Sequence, residues 1–396
     1  MRKNSQPPLI IAELGTSHAG DMVKAKDMIA AASEAGADCV KFQWVYADEI
    51  LHPNTGMVNL PGGPTRLYDT FKALERPPEF YAELKAEVEA RGLLFLCTPF
   101  GPRSAAELAA LKPKMMKIAS PELNYVQLLE QVAGYGLPTL LSTGVSRLAD
   151  IERAIGIFNR EMGVGAGLKP APTVGTRLTV SLQHITVLHC ITSYPAPPEE
   201  YNLRLIPNLS ALFGVPVGLS DHSLDPVLLP ALATALGAAA IEKHFCLCRD
   251  DPGLDDPIAL PPDDFRKMVD AITMVDTAAS YDAAVGAGFK PAPAINTRAI
   301  DTLKNDYGSA LVDAALGDGV KRLAPAEEAN YGRTNRSIHA MQEIKAGETI
   351  RAEMLRILRT EKVLRPGLSP EWLPCIIGRK AGKTIPAGEG IRFEDI

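Results

Sequence analysis

The chain has 396 residues, 46% of them hydrophobic, which is ample for a large core and more than one domain. Net charge is -6 with both signs interspersed and only 6% of residues are aromatic, so neither a nucleic-acid surface nor an anionic-membrane patch is indicated. No apolar run is long enough to span a bilayer, the basic start MRKNSQPPLIIAEL is too short in its apolar part for a signal peptide, and six cysteines mostly inside apolar runs read as reduced core thiols; a cytoplasmic protein is expected.

Apolar runs and amphipathic stretches alternate along the chain. LIIAEL (Leu9 to Leu14) reads as a strand, and DMVKAKDMIAAASEAG as a helix stopped at Gly36. ADCVKFQ follows, then a loop rich in Pro and Gly (Leu51 to Gly63) and the helix PEFYAELKAEVEARG. LLFLCTPF leads to RSAAELAAL, MMKIAS to LNYVQLLEQVAGYG, PTLLST to SRLADIERAIGIF, and HITVLHC to EYNLRLIPNLSALFG. VPVGLS and AAAIEKHF, joined by a helix from Pro226 to Gly237, are the seventh and eighth strands, and DDFRKMVDAITMV is the last expected helix. Eight such units predict an α/β fold, a (β/α)8 barrel, over residues 1–320. No GxGxxG follows the first strand, which argues against a doubly wound sheet.

Two segments break the rhythm. VGAGLKPAPTVGTR (Val164 to Arg177) and VGAGFKPAPAINTR (Val285 to Arg298) are near-copies, rich in Gly, Pro and Ala and without an apolar face. They are expected as inserted surface loops, about 164–180 and 280–314, with no role in chemistry. Residues 321–332 are expected as a linker. Beyond it, short apolar pieces punctuated by AGE turns predict a small β-rich domain over 333–396.

In a barrel the carboxyl ends of the strands hold the site. Polar residues at these ends include Glu13, Lys41 and Gln43, Thr98, Lys117 and Ser120, Ser142, Tyr194, Ser220, His222 and His244. A buried strand does not end in lysine without a reason, because an unpaired ammonium in apolar surroundings is costly. Lys41 and Lys117 either pair with Glu13 or Glu242 or, with the neighbouring hydroxyls, form a ring suited to a small dianion. His222 and His244 follow adjacent parallel strands, so both imidazoles fall at one rim and can share a divalent metal.

The pieces IIAELGTSHAG, GADCVKFQ, CTPF, KIASPE, LLSTG, VLHCITSYPAPPEEYNL, VGLSDHS, AAIEKHF, GLDDPIAL, LGDGVK and NRSIHA stand in order along the chain. Together they make it resemble the sialic acid synthase family, the nonulosonic acid synthases. The resemblance implies a barrel followed by an antifreeze-like (SAF) domain, and condensation of phosphoenolpyruvate with an N-acetylated hexosamine by a cytoplasmic, domain-swapped homodimer. It implies a divalent cofactor, Mn²⁺ first and Mg²⁺ or Co²⁺ otherwise, held by His222 and His244 with Glu13 as a ligand through water or as a base. By the same likeness Lys41, Thr98, Lys117, Ser120, Ser142, Thr192 and Ser220 hold phosphoenolpyruvate. Gln43, Glu122, Tyr194 and Asp255 contact the sugar, and Arg336 reaches it from the partner subunit's small domain.

Three departures bear on the acceptor. Ser17-His18-Ala19-Gly20 stands where the family usually has an Asn-His-(Asn)-Gly pattern, and His18 is left out of the ligand set. Thr192 replaces an asparagine, and Gly253-Leu254-Asp255-Asp256 replaces GPDH. The expected function is thus a metal-dependent nonulosonate synthase of sialic, legionaminic or pseudaminic type, the alternative a non-catalytic sugar-binding relative.

Overall fold

The computed structural model describes residues 7–60, 63–163, 184–282, 295–361 and 363–396. Eight parallel strands form one sheet: β1 (Leu9–Gly15), β2 (Cys39–Trp44), β3 (Leu94–Pro99), β4 (Met116–Ile118), β5 (Thr139–Ser142), β6 (Ile185–Cys190), β7 (Val217–Asp221) and β8 (Ala240–His244). The sheet curls on itself. β1 pairs with β8 through Leu9↔Ala240 and Glu13↔His244, and with β2 through Ile11↔Cys39. β3 and β4, at the two ends of the hydrogen-bonded order, are neighbours without a ladder between them.

Strand alternation explains how this barrel carries a site. On β1, Leu9 and Ile11 point inward, as do Cys39, Leu94 and Leu96, Leu140, Leu188 and Ala240, and these close into a small apolar cluster of their own. Two residues further along the same inward rows come Glu13, Lys41, Thr98, Ser142, Cys190 and Glu242, all buried. The barrel interior therefore changes from carbon to charge in one step towards its carboxyl end. The intervening residues, such as Ile10, Ala12, Val40 and Phe42, face outward into the main core beneath the helices.

The helices follow from caps and apolar stripes. In Met22–Glu34, Asp21 accepts from Val23 N and Lys24 N, and Ala25, Met28, Ile29 and Ala32 are the buried stripe. The expected last helix, Pro262–Asp282, is not the last: Thr297–Tyr307 and Ser309–Leu316 follow. Asn296 caps the first of these through Ala299 N, and Leu303, Val312, Ala315 and Leu316 are buried. The insert expected to reach 314 therefore gives way to structure by 296; its remainder, and the first near-copy, lie outside the described residues.

Residues 321–332 pack against the barrel rather than hanging free. Glu327 Oε1 accepts Val145 N at 2.6 Å and Thr192 N at 2.8 Å, and Lys321 Nζ donates to Thr143 O at 3.3 Å. The small domain has less sheet than expected: β9 (Arg336–Ala340) and β10 (Leu355–Arg359) pair antiparallel, and isolated bridges join much of the rest.

Candidate active site

The inward rows end in one cavity of about 390 Å³. Glu13, Lys41, Gln43, Thr98, Lys117, Ser120, Ser142, Thr192, Tyr194, Ser220, His222, His244 and Asp255 all line it, so thirteen of the expected residues converge. A second cavity, about 430 Å³, lies outside the barrel against His189 and Lys321 and is lined by none of them.

The floor of the strand-end cavity is a buried ion network. Lys117 Nζ donates to Glu242 Oε2 at 2.7 Å and Oε1 at 2.9 Å, while Lys41 Nζ lies 3.1 Å from Glu242 Oε1 and 3.3 Å from Glu13 Oε2. Ser220 Oγ also donates to Glu242, at 2.9 Å, and Gln43 Nε2 to Glu13 Oε1 at 2.7 Å. Both lysines are thus paired and at the cavity at once. Glu242, one of the two carboxylates open to these lysines, takes both of them and Ser220 as well and is the hub.

Burial pushes the Glu13 carboxyl up to about 7, against the pull of Lys41. Burial lowers the Lys117 ammonium to about 8, with Glu242 opposing. For Glu242 burial works upward, but the Lys117 and Lys41 ammoniums outweigh it and hold the carboxyl well below its ordinary range. Two ammoniums therefore face one firm and one half-protonated carboxylate, leaving positive charge for an anion.

Beside this floor, Gly144 N donates to Ser120 Oγ at 3.0 Å and to Cys190 Sγ at 3.1 Å. A Cβ at Gly144 would stand 3.0 Å from each of those atoms and collide with Thr192 Oγ1, so only glycine lets the backbone sit so close. The hydroxyls of Thr98 and Thr192 are buried with no hydrogen-bond partner among the described residues. Buried hydroxyls without partners next to cationic groups are the mark of a place prepared for ligand oxygens.

At the neighbouring strand ends the imidazoles of His222 and His244 lie with ring centroids 5.5 Å apart. His222 Nδ1 donates to Ile191 O at 2.6 Å, which leaves Nε2 as a bare lone pair. Burial pushes the His222 imidazolium down to about 4 and His244 well below its ordinary value, so both rings are neutral at pH 7. Tyr194 stacks on His222 at 4.4 Å, and Asp255 Oδ2 lies 3.8 Å from His244 Nδ1. Among the described residues no three His, Cys, Asp or Glu side chains form a metal-holding group. Two neutral imidazoles, with Glu13 in register beside His244 and its Oε2 held only by the Lys41 ammonium at 3.3 Å, fit an open divalent site completed by water or substrate oxygens, not a closed structural one.

Two of the expected residues stand apart from the cavity. Glu122 and Arg336 do not line the cavity; both are buried, and they bond each other. Arg336 donates through Nε to Glu122 Oε1 at 2.9 Å, through Nη2 to Phe100 O at 2.7 Å, and to Glu49 O. Strand alternation turns its side chain into the seam between small domain and barrel. Arg359, on the paired strand opposite it (Arg336↔Arg359), lines the cavity while also donating to Glu122 Oε1 at 2.8 Å. No local pattern flags Arg359. Cys190 was legible as the inward neighbour of Leu188. His18 packs against Phe42 and Phe80, away from the histidine pair.

Fold and site together define a (β/α)8-barrel protein with a strand-end cavity floored by two lysines and an appended small domain. The chain belongs to the NeuB family, which it matches over residues 28–283, and its end matches the SAF domain over 335–396. It is 31% identical to the spore coat polysaccharide biosynthesis protein SpsE of Bacillus subtilis, over 98% of this chain and 94% of that protein. It is 29% identical to the N,N'-diacetyllegionaminic acid synthase of Legionella pneumophila, over 100% of this chain and 96% of that one. The crystal structure of Bacillus subtilis SpsE superposes with a TM-score of 0.76, covering 98% of this chain and 95% of its own.

Proposed function

We propose that the protein is a nonulosonic acid synthase, joining phosphoenolpyruvate to an N-acylated hexosamine and releasing phosphate by C–O cleavage. The observation that carries this reading is the meeting, in one cavity, of the Lys41/Lys117 floor, the unpartnered hydroxyls of Thr98 and Thr192, and two neutral imidazoles. His222 and His244 would hold a divalent ion, Mn²⁺ first. Such an ion, when bound, supplies Lewis-acid polarisation of the sugar aldehyde.

The chain's own groups do the rest. Lys41, Lys117 and the hydroxyls hold the phosphoester so that its enol carbon faces the aldehyde. That carbon forms the new C–C bond, the aldehyde oxygen gains a proton from solvent, and positive charge falls on the carbon bearing the phosphate oxygen. Water adds there with loss of one proton, and the new hydroxyl then becomes the ketone, its proton leaving with the phosphate as the C–O bond breaks. Glu13, titrating near 7 and oriented by Gln43, is poised to take the water's proton. Asp255 and Tyr194 meet the sugar's polar edge.

The test is phosphate release with product mass. Release is expected only when phosphoenolpyruvate, an amino sugar and a divalent ion are all present, and EDTA or His222→Ala is expected to stop it. Turnover that survives chelation would sink the metal part; no phosphate with any acylated hexosamine would sink the whole.

A further inference from the structure

The backbone beside Ser120 and Cys190 is strained at one residue. Val145, the next after Gly144, is buried with a φ of 43°, in the left-handed region that a β-branched residue rarely enters. Glycine would take this turn freely; valine stays in it only while outside contacts hold it there. Those contacts come from beyond the barrel. Glu327 Oε1 accepts Val145 N at 2.6 Å, and Asn335 Nδ2 donates to Val145 O at 3.0 Å. On the other side of Gly144, Lys321 Nζ donates to Thr143 O at 3.3 Å.

The same Glu327 Oε1 accepts Thr192 N at 2.8 Å, and Asn330 Nδ2 donates to Thr192 O at 3.4 Å. One buried carboxylate thus pins two turns, after β5 and after β6, by charge-assisted bonds. Both turns serve the strand-end cavity: Gly144 N donates to Ser120 Oγ, which lines it, and Thr192 lines it beneath its own unpartnered hydroxyl. Glu327 itself does not line that cavity; it stands behind the turns, on the outer one. Resting on the synthase reading, we propose that Glu327 is a positioning residue for phosphoenolpyruvate. It keeps Val145 left-handed and Thr192 in place, so the segment joining barrel to small domain completes a binding site whose ligand it never touches. Without the carboxylate, Val145 relaxes towards negative φ, and Gly144, Ser120 and Thr192 lose their common aim.

Calorimetry of phosphoenolpyruvate on the full chain tests this. Glu327→Ala is expected to raise the Kd at least about tenfold, and Glu327→Gln, whose amide oxygen still accepts, by roughly threefold. Adding Val145→Gly to either variant is expected to recover about threefold in affinity, because glycine takes this φ without strain. A carboxylate that served only folding would allow no such recovery. An unchanged Kd in a folded Glu327→Ala variant, or a loss that Val145→Gly does not lessen, would overturn the proposal. If Glu327→Ala does not fold, the Glu327→Gln pair decides by the same two criteria. A parent protein that binds phosphoenolpyruvate but releases no phosphate with any acylated hexosamine would sink the synthase reading and leave this comparison standing. A parent that does not bind phosphoenolpyruvate would sink both.

Discussion

Lys243 Nζ donates to Asp221 Oδ2 at 2.6 Å, and each of these residues immediately precedes one of the two rim imidazoles, His244 and His222. They are register partners on β8 and β7, both about 1% exposed. Lys243 also donates to Ser223 O at 2.5 Å, so the ammonium ties together the turn that carries His222. The pair faces away from the cavity and fixes the strand ends from behind.

Lys243→Met removes one half of that buried pair and leaves the Asp221 charge alone. A loss of about 3–5 kcal/mol in unfolding free energy is expected from urea titration. Mn²⁺ affinity, read by calorimetry on the folded variant, is expected to fall by roughly 10–100-fold, as when a group supporting a metal ligand is lost. Unchanged affinity would show that the histidines hold their spacing without the clamp.

Phosphoenolpyruvate affinity in the absence of metal is expected to weaken as pH rises. Glu13, near 7, gains its negative charge first, and Lys117, near 8, then loses its positive one; Lys41 and Glu242, held above and below their ordinary ranges, do not change. The stability contribution of Lys117 has the opposite sign. Its folded value lies below the ordinary 10.5, so between about 8 and 10.5 the unfolded chain binds the proton and rising pH favours the fold. Calorimetry from pH 6 to 9.5 should show affinity falling in two steps, and Glu13→Gln should abolish the earlier one only. A flat profile would mean that ligand oxygens do not contact this floor.

Gly144→Ala tests the anion cradle without touching a charge. The added methyl meets Ser120 Oγ, Cys190 Sγ and Thr192 Oγ1, three atoms beside the cavity. Overpacking of this kind costs about 1–3 kcal/mol, which a stable barrel survives. The Kd for phosphoenolpyruvate is expected to rise about tenfold or more, while sugar binding changes little. An unaltered Kd would place the phosphoester elsewhere.

What was legible in the sequence follows from period. Each barrel strand writes its inward row at alternate positions, so the step from Ile11 to Glu13, or Leu96 to Thr98, can be read without coordinates. Which of the two carboxylates each lysine takes cannot. Lys117 and Glu242 are 125 residues apart, and only closure of the sheet makes them partners. The roles of Arg336 and Arg359 were hidden for a related reason. Which residue of a two-stranded ladder faces the seam depends on how the small domain docks, and nothing in NRSIHA records that. The helix starting at Thr297 was obscured by its neighbour, the Gly- and Pro-rich near-copy, whose composition spoke for loop across the boundary.

Glu122 offers a way to separate docking from catalysis, because Arg336 and Arg359 both donate to its Oε1 but only Arg359 reaches the cavity. Arg336 is fully enclosed, its guanidinium spent on Glu122 and the carbonyls of Phe100, Glu49 and Ile50. Arg336→Ala therefore strips a buried carboxylate and several carbonyls of their donor and should cost about 3–5 kcal/mol in urea unfolding. It should also make the segment after 320 the first to be cut in limited proteolysis. Arg359→Ala leaves Arg336 on Glu122, so its stability loss should be smaller, about 1–2 kcal/mol. Its effect should appear in the KM for the sugar, with that for phosphoenolpyruvate unmoved. If Arg336→Ala raised the sugar KM in a fully folded protein and Arg359→Ala did not, the arginine facing the acceptor would be the former after all, and the small domain would have to sit differently when substrate is bound.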